Sequence, residues 1–404
     1  MRDLYNFLVD SFSGLSKEVW WLALVSLINR AGSMVIPFLS LYLTESEGYS
    51  LIQVGWIMSA FGAGSLVGTY LGGVLTDRIG NYKVMCFSLF STGVLFILLQ
   101  WADGFWMFCS AIFVIMLVAD SFRPAIFVAL NAYSKPENRT RSVTLIRLAI
   151  NLGFAAGPAV GGWIIATMSY TGLFWVDGLT CIAAVILLLV VLNPKRAKSF
   201  AEPEPEKPLS PCGDSVYLIF FAALVLFALA FMQYFSTLPL YYKEVYGWTE
   251  DKIGLLLGLN GLLILILEMP VVKYLEGKAG SKMRYVIVGA IFLAFSFLVL
   301  NLAHWSGLLI IGMVFMTFGE ILAFPFSNAF AMDRSQRGKK GAYMALFSLS
   351  FSLAAIFGHN VGMRVVDGFG FDAAWYLMTI LIILSTFLLW IVRSKLIQEE
   401  QFPS

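Results

Sequence analysis

The sequence predicts an all-α membrane protein with twelve transmembrane helices in two pseudo-symmetric bundles of six. Three observations predict this fold: an apolar composition, the number of long apolar segments, and a weak repeat between the two halves of the chain. Of the 404 residues, 59% are hydrophobic and 13% are charged, and the mean hydropathy is +0.81. Soluble domains carry a charged fraction of about 25%. The surface of this chain is therefore suited to lipid.

Twelve apolar segments approach or exceed the roughly 20 residues that a helix needs to cross a bilayer. Segments 1 to 6 lie near residues 18–43, 51–75, 84–102, 106–133, 142–168 and 172–192, and segments 7 to 12 near 215–241, 252–275, 284–303, 306–332, 341–366 and 373–392. Residues 193–214 between the two sets are polar and proline-rich, which indicates an extended linker. We expect an N-terminal bundle over 1–192, a linker over 193–214 and a C-terminal bundle over 215–404.

The loops predict the orientation. Almost every loop lysine and arginine falls on one face of the membrane, and the opposite loops hold only Lys243 and Lys252. The positive-inside rule then places both termini and the linker in the cytoplasm. The start of the chain, with Asp3 and Asp10, does not resemble a signal peptide. Short loops on the outer face fit a bacterial inner (plasma) membrane.

Several function classes are disfavoured. The net charge of +2 gives no basic surface for nucleic acid. The cysteines and histidines are few and without metal-ligand spacing: Cys86, Cys109, Cys181, Cys212, His304 and His359. No nucleophile–base set or phosphate-binding loop is apparent, so the sequence does not indicate an enzyme, a metal site or a bound cofactor.

The two halves repeat each other weakly. The matched pairs, at offsets of 199 to 201 residues, are Gly55 with Gly254, Gly62 with Gly261, Asp77 with Glu276, Asp120 with Glu320, Pro124 with Pro325, and Gly157 with Gly358. Such internal symmetry is typical of transporters built from two repeated halves, whose binding site lies where the halves meet.

Ionisable residues within the segments are the candidate functional residues, because charge inside a membrane is expensive. They are Arg30 in segment 1, Asp120 and Arg123 in segment 4, Arg147 in segment 5, Glu268 in segment 8 and Glu320 in segment 10. Asp177 and Arg364 lie nearer to helix ends, where we expect them to reach water or head groups.

The N-terminal half carries most of the cations. Asp120 and Arg123 are three residues apart and can pair on one helix face, in a structural or a functional role. Arginine keeps its charge when buried. Arg30 and Arg147 therefore each need an anion, which Asp120, a substrate group or the opposite half can supply.

Glu320 is the main candidate for coupling to protons. A buried carboxyl without a nearby cation favours its protonated form, so it can take up and release a proton as its surroundings change. Glu268 and Asp120 are further candidates. The alternative is that Glu320 stays hydrogen-bonded to a neighbour and has a structural role only.

The loop after segment 2 carries a family resemblance. The run Gly73-Val-Leu-Thr-Asp77-Arg78-Ile-Gly80-Asn-Tyr-Lys83 resembles the signature loop of the major facilitator superfamily. In that family the loop latches the outward-facing state, so the resemblance implies a conformational switch at these five residues. A carboxylate at Asp77 can also engage a helix N-terminus. Solvated loop charges are the alternative interpretation.

Segment 5 resembles proton-coupled drug antiporters of the same superfamily. The run Gly153-Phe-Ala-Ala-Gly157-Pro158-Ala-Val-Gly161-Gly162 is similar to their G-x-x-x-G-P-x-x-G-G motif. Small residues allow close helix packing, and a proline within a helix produces a kink. The resemblance implies an exporter, with Gly157 and Pro158 taking part in the conformational change.

A second resemblance points to proton-coupled oligopeptide transporters. It rests on Arg30, Arg123, Asn151 and Glu320. In that family the two cations hold the peptide carboxylate and the glutamate faces the amino end. Two departures weaken it: Asn29 and apolar residues replace the family's segment 1 glutamates, and Arg123 replaces its lysine.

Together these features predict a secondary transporter that moves a small organic solute by alternating access, as a monomer in the bilayer. The segment 5 motif favours a proton-coupled antiporter that exports drug-like or amphipathic compounds. The alternative is a proton-coupled symporter for di- and tripeptides or amino acids. The residues leave open sodium as the coupling ion, and the expected energy source is the ion gradient itself.

Overall fold

The computed structural model describes residues 15–31, 34–134, 139–194, 210–276, 281–338 and 340–401. Its α-helices are α1 Lys17–Ala31, α2 Val35–Leu41, α3 Leu51–Ile79, α4 Asn81–Leu99, α5 Phe105–Asp120, α6 Phe122–Tyr133, α7 Arg139–Met168, α8 Tyr170–Val191, α9 Ser215–Phe231, α10 Thr237–Glu244, α11 Glu250–Glu276, α12 Lys282–Leu298, α13 Gly307–Ser335 and α14 Lys340–Gln401. Short 3-10 turns at Pro211–Gly213, Met232–Phe235 and Val299–Asn301 and a π-helical turn at Tyr42–Ser46 complete the elements. All regular elements in the described ranges are helical, which confirms the predicted class. Most of the predicted linker, residues 195–209, lies outside the described residues.

Within the described ranges, eleven helices are long and apolar enough to cross a membrane, where a helix is counted together with any short turn that continues it. The chain is therefore an integral membrane protein. The last of the eleven lies in α14, where Gly370 has the non-helical angles φ 82° and ψ 174°. Gly370 separates the stretches 340–369 and 371–401, and each exceeds the roughly 20 residues that a span needs.

Segment 1 is interrupted, although the sequence predicts one helix over 18–43. Helix α1 ends at Ala31 and α2 begins at Val35. Backbone N–H groups freed inside a membrane must find partners in the protein. Asp177 on α8 supplies them: Oδ1 accepts from the Met34 N–H at 3.1 Å and Oδ2 from the Val35 N–H at 2.8 Å. A carboxylate from another helix thus caps α2.

Segment 7 is interrupted as well. Helix α9 runs into a 3-10 turn, and Ser236, with φ −137° and ψ −64°, separates that turn from α10. The Ser236 carbonyl accepts a hydrogen bond from Ser40 Oγ at 2.9 Å, and its hydroxyl lies 2.8 Å from His359 Nδ1. A hydroxyl group of α2 therefore satisfies the backbone carbonyl at this second break, and a histidine of α14 contacts the Ser236 side chain.

The backbone repeats between the halves in more detail than the sequence predicts. The turn before α8 contains Ser169 (φ 82°, ψ 173°), and the corresponding turn within α14 contains Gly370 with nearly the same angles. Gly48 and Gly247 likewise share positive φ, at 69° and 63°.

Two helix crossings repeat in the same way. A Cβ added at Gly62 of α3 would lie 2.5 Å from the Ala355 backbone of α14. A Cβ added at Gly261 of α11 would lie 2.4 Å from Cα of Ala155 in α7. Both crossings join a helix before the linker to one after it, and each needs a glycine because the backbones meet there.

By contact, the chain forms two compact units. The first comprises the described parts of Met1–Pro37, Ala63–Phe200 and Thr249–Leu265, and the second those of Phe38–Gly62, Ala201–Trp248 and Ile266–Ser404. Each unit takes residues from both sides of the linker. The predicted division into 1–192 and 215–404 stays a prediction.

The first unit has an apolar core where α1, α4, α6, α7 and α8 pack together. Val19, Met85, Ala125, Ile146 and Leu188 are among its fully buried members. The burial of these side chains fixes the positions of α1 and α8. It therefore also fixes where Arg30 on α1 and Asp177 on α8 lie.

The second unit has a buried ion cluster where α9, α13 and α14 end or begin. Arg334 is 6% exposed and forms two hydrogen bonds with Asp214, at 2.6 and 2.8 Å, and two with Glu399, at 2.6 and 2.9 Å. Tyr343 also donates to Asp214. Burial opposes ionisation of Asp214, but these donors outweigh it and hold its pKa below the ordinary value.

Replacing Ser169 by Gly should stabilise the protein by about 1 kcal/mol, because a non-glycine residue at these backbone angles is strained by about 1–3 kcal/mol and glycine adds chain entropy to the unfolded state. Gly370→Ser is the matched control and should destabilise it, since it introduces the same strain in open space. Unfolding of both variants in detergent by denaturant measures the effect. Equal stability of Ser169→Gly and the unmodified chain would contradict the strain.

Replacing Asp214 by Asn should destabilise the protein by about 3–5 kcal/mol near neutral pH, because Arg334 loses a buried partner. The pKa of Asp214 is lowered on folding, so its contribution is complete above the unfolded-state pKa of about 4. The contribution is lost as pH falls below that value, toward and through the folded-state pKa. The difference in unfolding free energy between the two proteins should therefore stay constant from pH 8 to 5 and shrink only below about pH 4. A difference that shrinks between pH 7 and 5 would show that the pKa of Asp214 is not lowered.

Candidate functional site

A small cavity lies inside the first unit, among α1, α2, α4, α5 and α8. Its lining residues are Asn29, Arg30, Ile36, Thr92, Phe96, Met116, Ala119, Asp120 and Cys181. The volume is about 30 Å³, and about 10–15 Å³ is enough for one water molecule. We call it the Arg30–Asp120 cavity. It unites two predicted charged residues that are distant in the sequence.

Helix α7 positions Arg30 at the end of α1. The Arg30 guanidinium carbon lies 5.5 Å from the centre of the Phe154 ring, which is within cation–π range. A Cβ added at Gly153 would lie 2.6 Å from Cβ of Arg30. The glycine therefore allows α7 to approach α1 at this level, and Phe154 then lies beside the guanidinium.

Asp120 ends α5 and is 8% exposed. Its Oδ2 accepts a hydrogen bond from Ser65 Oγ on α3. The predicted pairing with Arg123 is wrong, since these two described residues form no ion pair. Asp120 instead bonds to Ser65 of α3 and lines the cavity. Arg123 is exposed.

Arg30 and Asp120 line the cavity without a direct ion pair between these two described side chains. Arg30 is repelled by the charge of Arg123 and, less strongly, attracted by that of Asp120. The buried Thr92 hydroxyl, which also lines the cavity, has no hydrogen-bond partner among the described residues. A water molecule can bridge polar groups at little cost. Water in this cavity can therefore connect the Arg30 guanidinium and the Asp120 carboxyl group to the Thr92 hydroxyl.

Asp177 is the residue that the sequence interpretation missed. The expectation that it reaches water or head groups is wrong, because it is 0% exposed. Its partners are the Met34 and Val35 N–H groups. The signal in the sequence was a lone carboxylate in segment 6 together with Gly32 and Ser33 in segment 1, two residue types of low helix propensity. Each feature alone carried little information.

The other predicted residues do not line this cavity. In the first unit, Arg147 is exposed on α7 and Asn151 is half-buried one turn later. In the second unit, Glu268 on α11 and Glu320 on α13 are half-buried. All four interact with other residues, and Glu320 has an electrostatic interaction with Tyr234.

The signature loop connects α3 to α4. Gly73 and Asp77 lie in α3, Gly80 has φ +92° at the start of α4, and Lys83 lies in the first turn of α4. The charged side chains of Asp77, Arg78 and Lys83 are exposed and bond to none of the described residues. The expectation that Asp77 engages a helix N-terminus is therefore wrong, while the switch role stays a prediction.

The glycine-rich part of α7 packs between α1 and α11. A Cβ added at Gly157 would lie 3.3 Å from the Ala31 carbonyl oxygen, and one added at Gly254 of α11 would lie 2.3 Å from that of Pro158. Pro158 lies inside α7, which continues as a helix through it. The motif therefore brings three backbones close together beside Arg30.

The long apolar helices, the repeated halves and the charged cavity define a membrane transporter. The sequence matches the Major Facilitator Superfamily over residues 21–359. The chain belongs to this family, as the signature loop predicted.

Three known proteins illustrate the similarity. The Na(+), Li(+), K(+)/H(+) antiporter of Planococcus maritimus is 22% identical over 90% of this chain and 92% of its own length. Multidrug resistance protein MdtH of Yersinia enterocolitica is 21% identical over 89% of both chains. A POT family transporter, crystallised with a thioalcohol conjugated peptide, superimposes with a TM-score of 0.77 at 16% identity and covers 94% of this chain and 96% of its own. At that identity the structural match shows a shared fold.

Proposed function

We propose that this chain is a proton-coupled secondary active transporter that exports drug-like or amphipathic small molecules as an antiporter. It works by alternating access with twelve transmembrane helices in two six-helix bundles, residues 1–192 and 215–404. Its energy comes from an ion gradient rather than a bound cofactor, and a monomer is sufficient. Its proposed location is the bacterial inner membrane, with both termini and the linker of residues 193–214 in the cytoplasm.

The Arg30–Asp120 cavity carries this proposal. A carboxylate and an arginine inside membrane-spanning helices are expensive, and such residues mark ion and proton pathways. Arg30 and Asp120 attract each other across this cavity, so a cationic solute that enters it competes with Arg30 for the carboxyl group. A carboxyl that can bind either a proton or a cationic solute provides the exchange that an antiporter needs.

We assign the remaining residues to supporting roles. Glu320, which interacts electrostatically with the buried Tyr234, is the second proton-coupling residue in this proposal, and Glu268 is a third. Arg123, Arg147 and Asn151 contact the solute outside the Arg30–Asp120 cavity, which none of them lines. The signature loop and the Gly157-Pro158 pair act as the conformational switch.

The names of the two sequence relatives, an antiporter and a multidrug resistance protein, support export in exchange for ions. The peptide symporter finds less support. That alternative needs Arg30 and Arg123 to hold one carboxylate, but Arg30 lines the cavity with Asp120, whereas Arg123 is exposed.

Everted membrane vesicles containing the protein test the proposal. The vesicles are acidified by respiration, and acridine orange reports proton release on addition of ethidium, Hoechst 33342, LiCl, NaCl, KCl or dialanine. We expect ethidium or Hoechst 33342 to release protons. Asp120→Asn should slow this release at least about tenfold, because the cationic solute loses its bond to the Asp120 carboxyl group. A hydrogen bond to a charged group contributes about 1.5–3 kcal/mol.

Asp103→Asn is the matched control, because Asp103 is an exposed loop carboxylate, and it should keep the full rate. A response to dialanine alone would support the peptide transporter, and a response to the salts alone would support cation exchange. An Asp120→Asn protein that releases protons at the unmodified rate would remove Asp120 from the mechanism.

A further inference from the structure

Asp177 joins two parts of the chain that the proposed function leaves unconnected. Each of its carboxylate oxygens accepts one backbone N–H, from Met34 and Val35, across 142 to 143 residues of sequence. It is completely buried. It contacts the start of α2, directly after the break in segment 1.

The choice of an aspartate at this position calls for a reason. Serine and asparagine cap a helix about as well as aspartate does, and neither brings an ionisable group into the membrane. Each of them offers one acceptor oxygen, whereas both oxygens of the Asp177 carboxyl group accept a hydrogen bond here. Asp177 therefore holds α2 more firmly than an ordinary cap.

The capped break lies directly beside the cavity. Arg30 precedes the break, Ile36 follows it, and both line the Arg30–Asp120 cavity. On α8, Cys181 lies one turn after Asp177, on the same helix face, and it lines the cavity too. The position of α2 therefore determines how closed the cavity is.

Helix α2 is also held at its other end. Ser40 Oγ donates to the Ser236 carbonyl at the break in segment 7. A short helix bonded at both of its ends can move only if one of these attachments opens. The attachment at Asp177 is the one that touches the charged cavity.

We propose that Asp177 is a positioning residue that anchors α2 and thereby holds Arg30 in the closed cavity opposite Asp120. The inference rests on the proposed function for its meaning in transport. The anchoring itself can be measured without any transported solute. When the anchor opens, α2 moves away from α8 and the cavity becomes accessible.

Cys181 provides a native reporter. It is 1% exposed, whereas Cys109 on α5 is half-buried outside the cavity. Purified full-length protein in detergent is treated with methyl methanethiosulfonate, and mass spectrometry follows the modification of both thiols over time. The ratio of the Cys181 rate to the Cys109 rate reports opening of the cavity rather than general loosening.

Two variants remove the anchor from opposite sides. Asp177→Asn keeps the shape but leaves one acceptor oxygen. Val35→Pro removes one N–H donor at the first helical position, where proline is well tolerated. We expect Asp177→Asn to raise the Cys181 to Cys109 ratio roughly tenfold, because a buried N–H group loses its acceptor, and Val35→Pro to raise it severalfold, because one hydrogen bond is lost.

Leu188→Ala is the control, because Leu188 is fully buried on the same helix, away from the break. It lowers stability by creating a cavity elsewhere, and its ratio should stay near that of the unmodified protein. If neither Asp177→Asn nor Val35→Pro raises the ratio above that of Leu188→Ala, the anchoring role is wrong.

Transport separates this inference from the proposed function. If the vesicles respond to ethidium, Asp177→Asn should raise the half-saturating ethidium concentration more than it lowers the maximal rate, because Arg30 is misplaced. An equal loss in Asp177→Asn and Leu188→Ala would contradict positioning. A raised thiol ratio without any transport by the unmodified protein would support the anchor and contradict the proposed function.

Discussion

The attraction between Arg30 and Asp120 within membrane-spanning helices is the constraint on which the rest of the first unit depends. An arginine cannot give up its charge, so the protein must supply both a counter-charge and contacts for the guanidinium. Asp120 supplies the charge across the cavity, and Phe154 supplies an aromatic face. Gly153 is needed because α7 must come close enough to place that face.

The absence of hydrogen-bonding groups in lipid also determines what surrounds the two broken segments. A break in a helix frees backbone groups that lipid cannot satisfy, and the protein satisfies them with side chains from other helices. Asp177 does so in the first unit, and Ser40 does so for the Ser236 carbonyl in the second. A break that is held by specific side chains is a site where a helix can change direction once one of these hydrogen bonds opens. These positions are therefore suited to movement.

Sequence reasoning succeeded where a property is local. Apolar length predicts the spans, and the spacing from Gly73 to Lys83 identifies the family, since both are read from neighbouring residues. It failed for the pairing of Asp120, because helical spacing favoured Arg123, whereas Asp120 bonds to Ser65 of another helix and Arg123 is exposed.

The cavity could not be predicted for a related reason. Its charged and polar residues come from segments 1, 3, 4 and 6, and only packing brings them together. The repeat was visible in the sequence through pairs such as Gly62 and Gly261. Its extension to Ser169 and Gly370 was not, because backbone angles rather than residue types are repeated there.

The most direct measurement is a double-mutant cycle on Arg30→Gln and Asp120→Asn, following the unfolding free energy in detergent. Each single substitution leaves one charge unbalanced in the first unit, and the double substitution removes both. We predict that the double variant loses less stability than the sum of the single losses, by about 0.5–3 kcal/mol. Losses that add to within about 0.3–0.5 kcal/mol would contradict the account, because the two charges would then be independent.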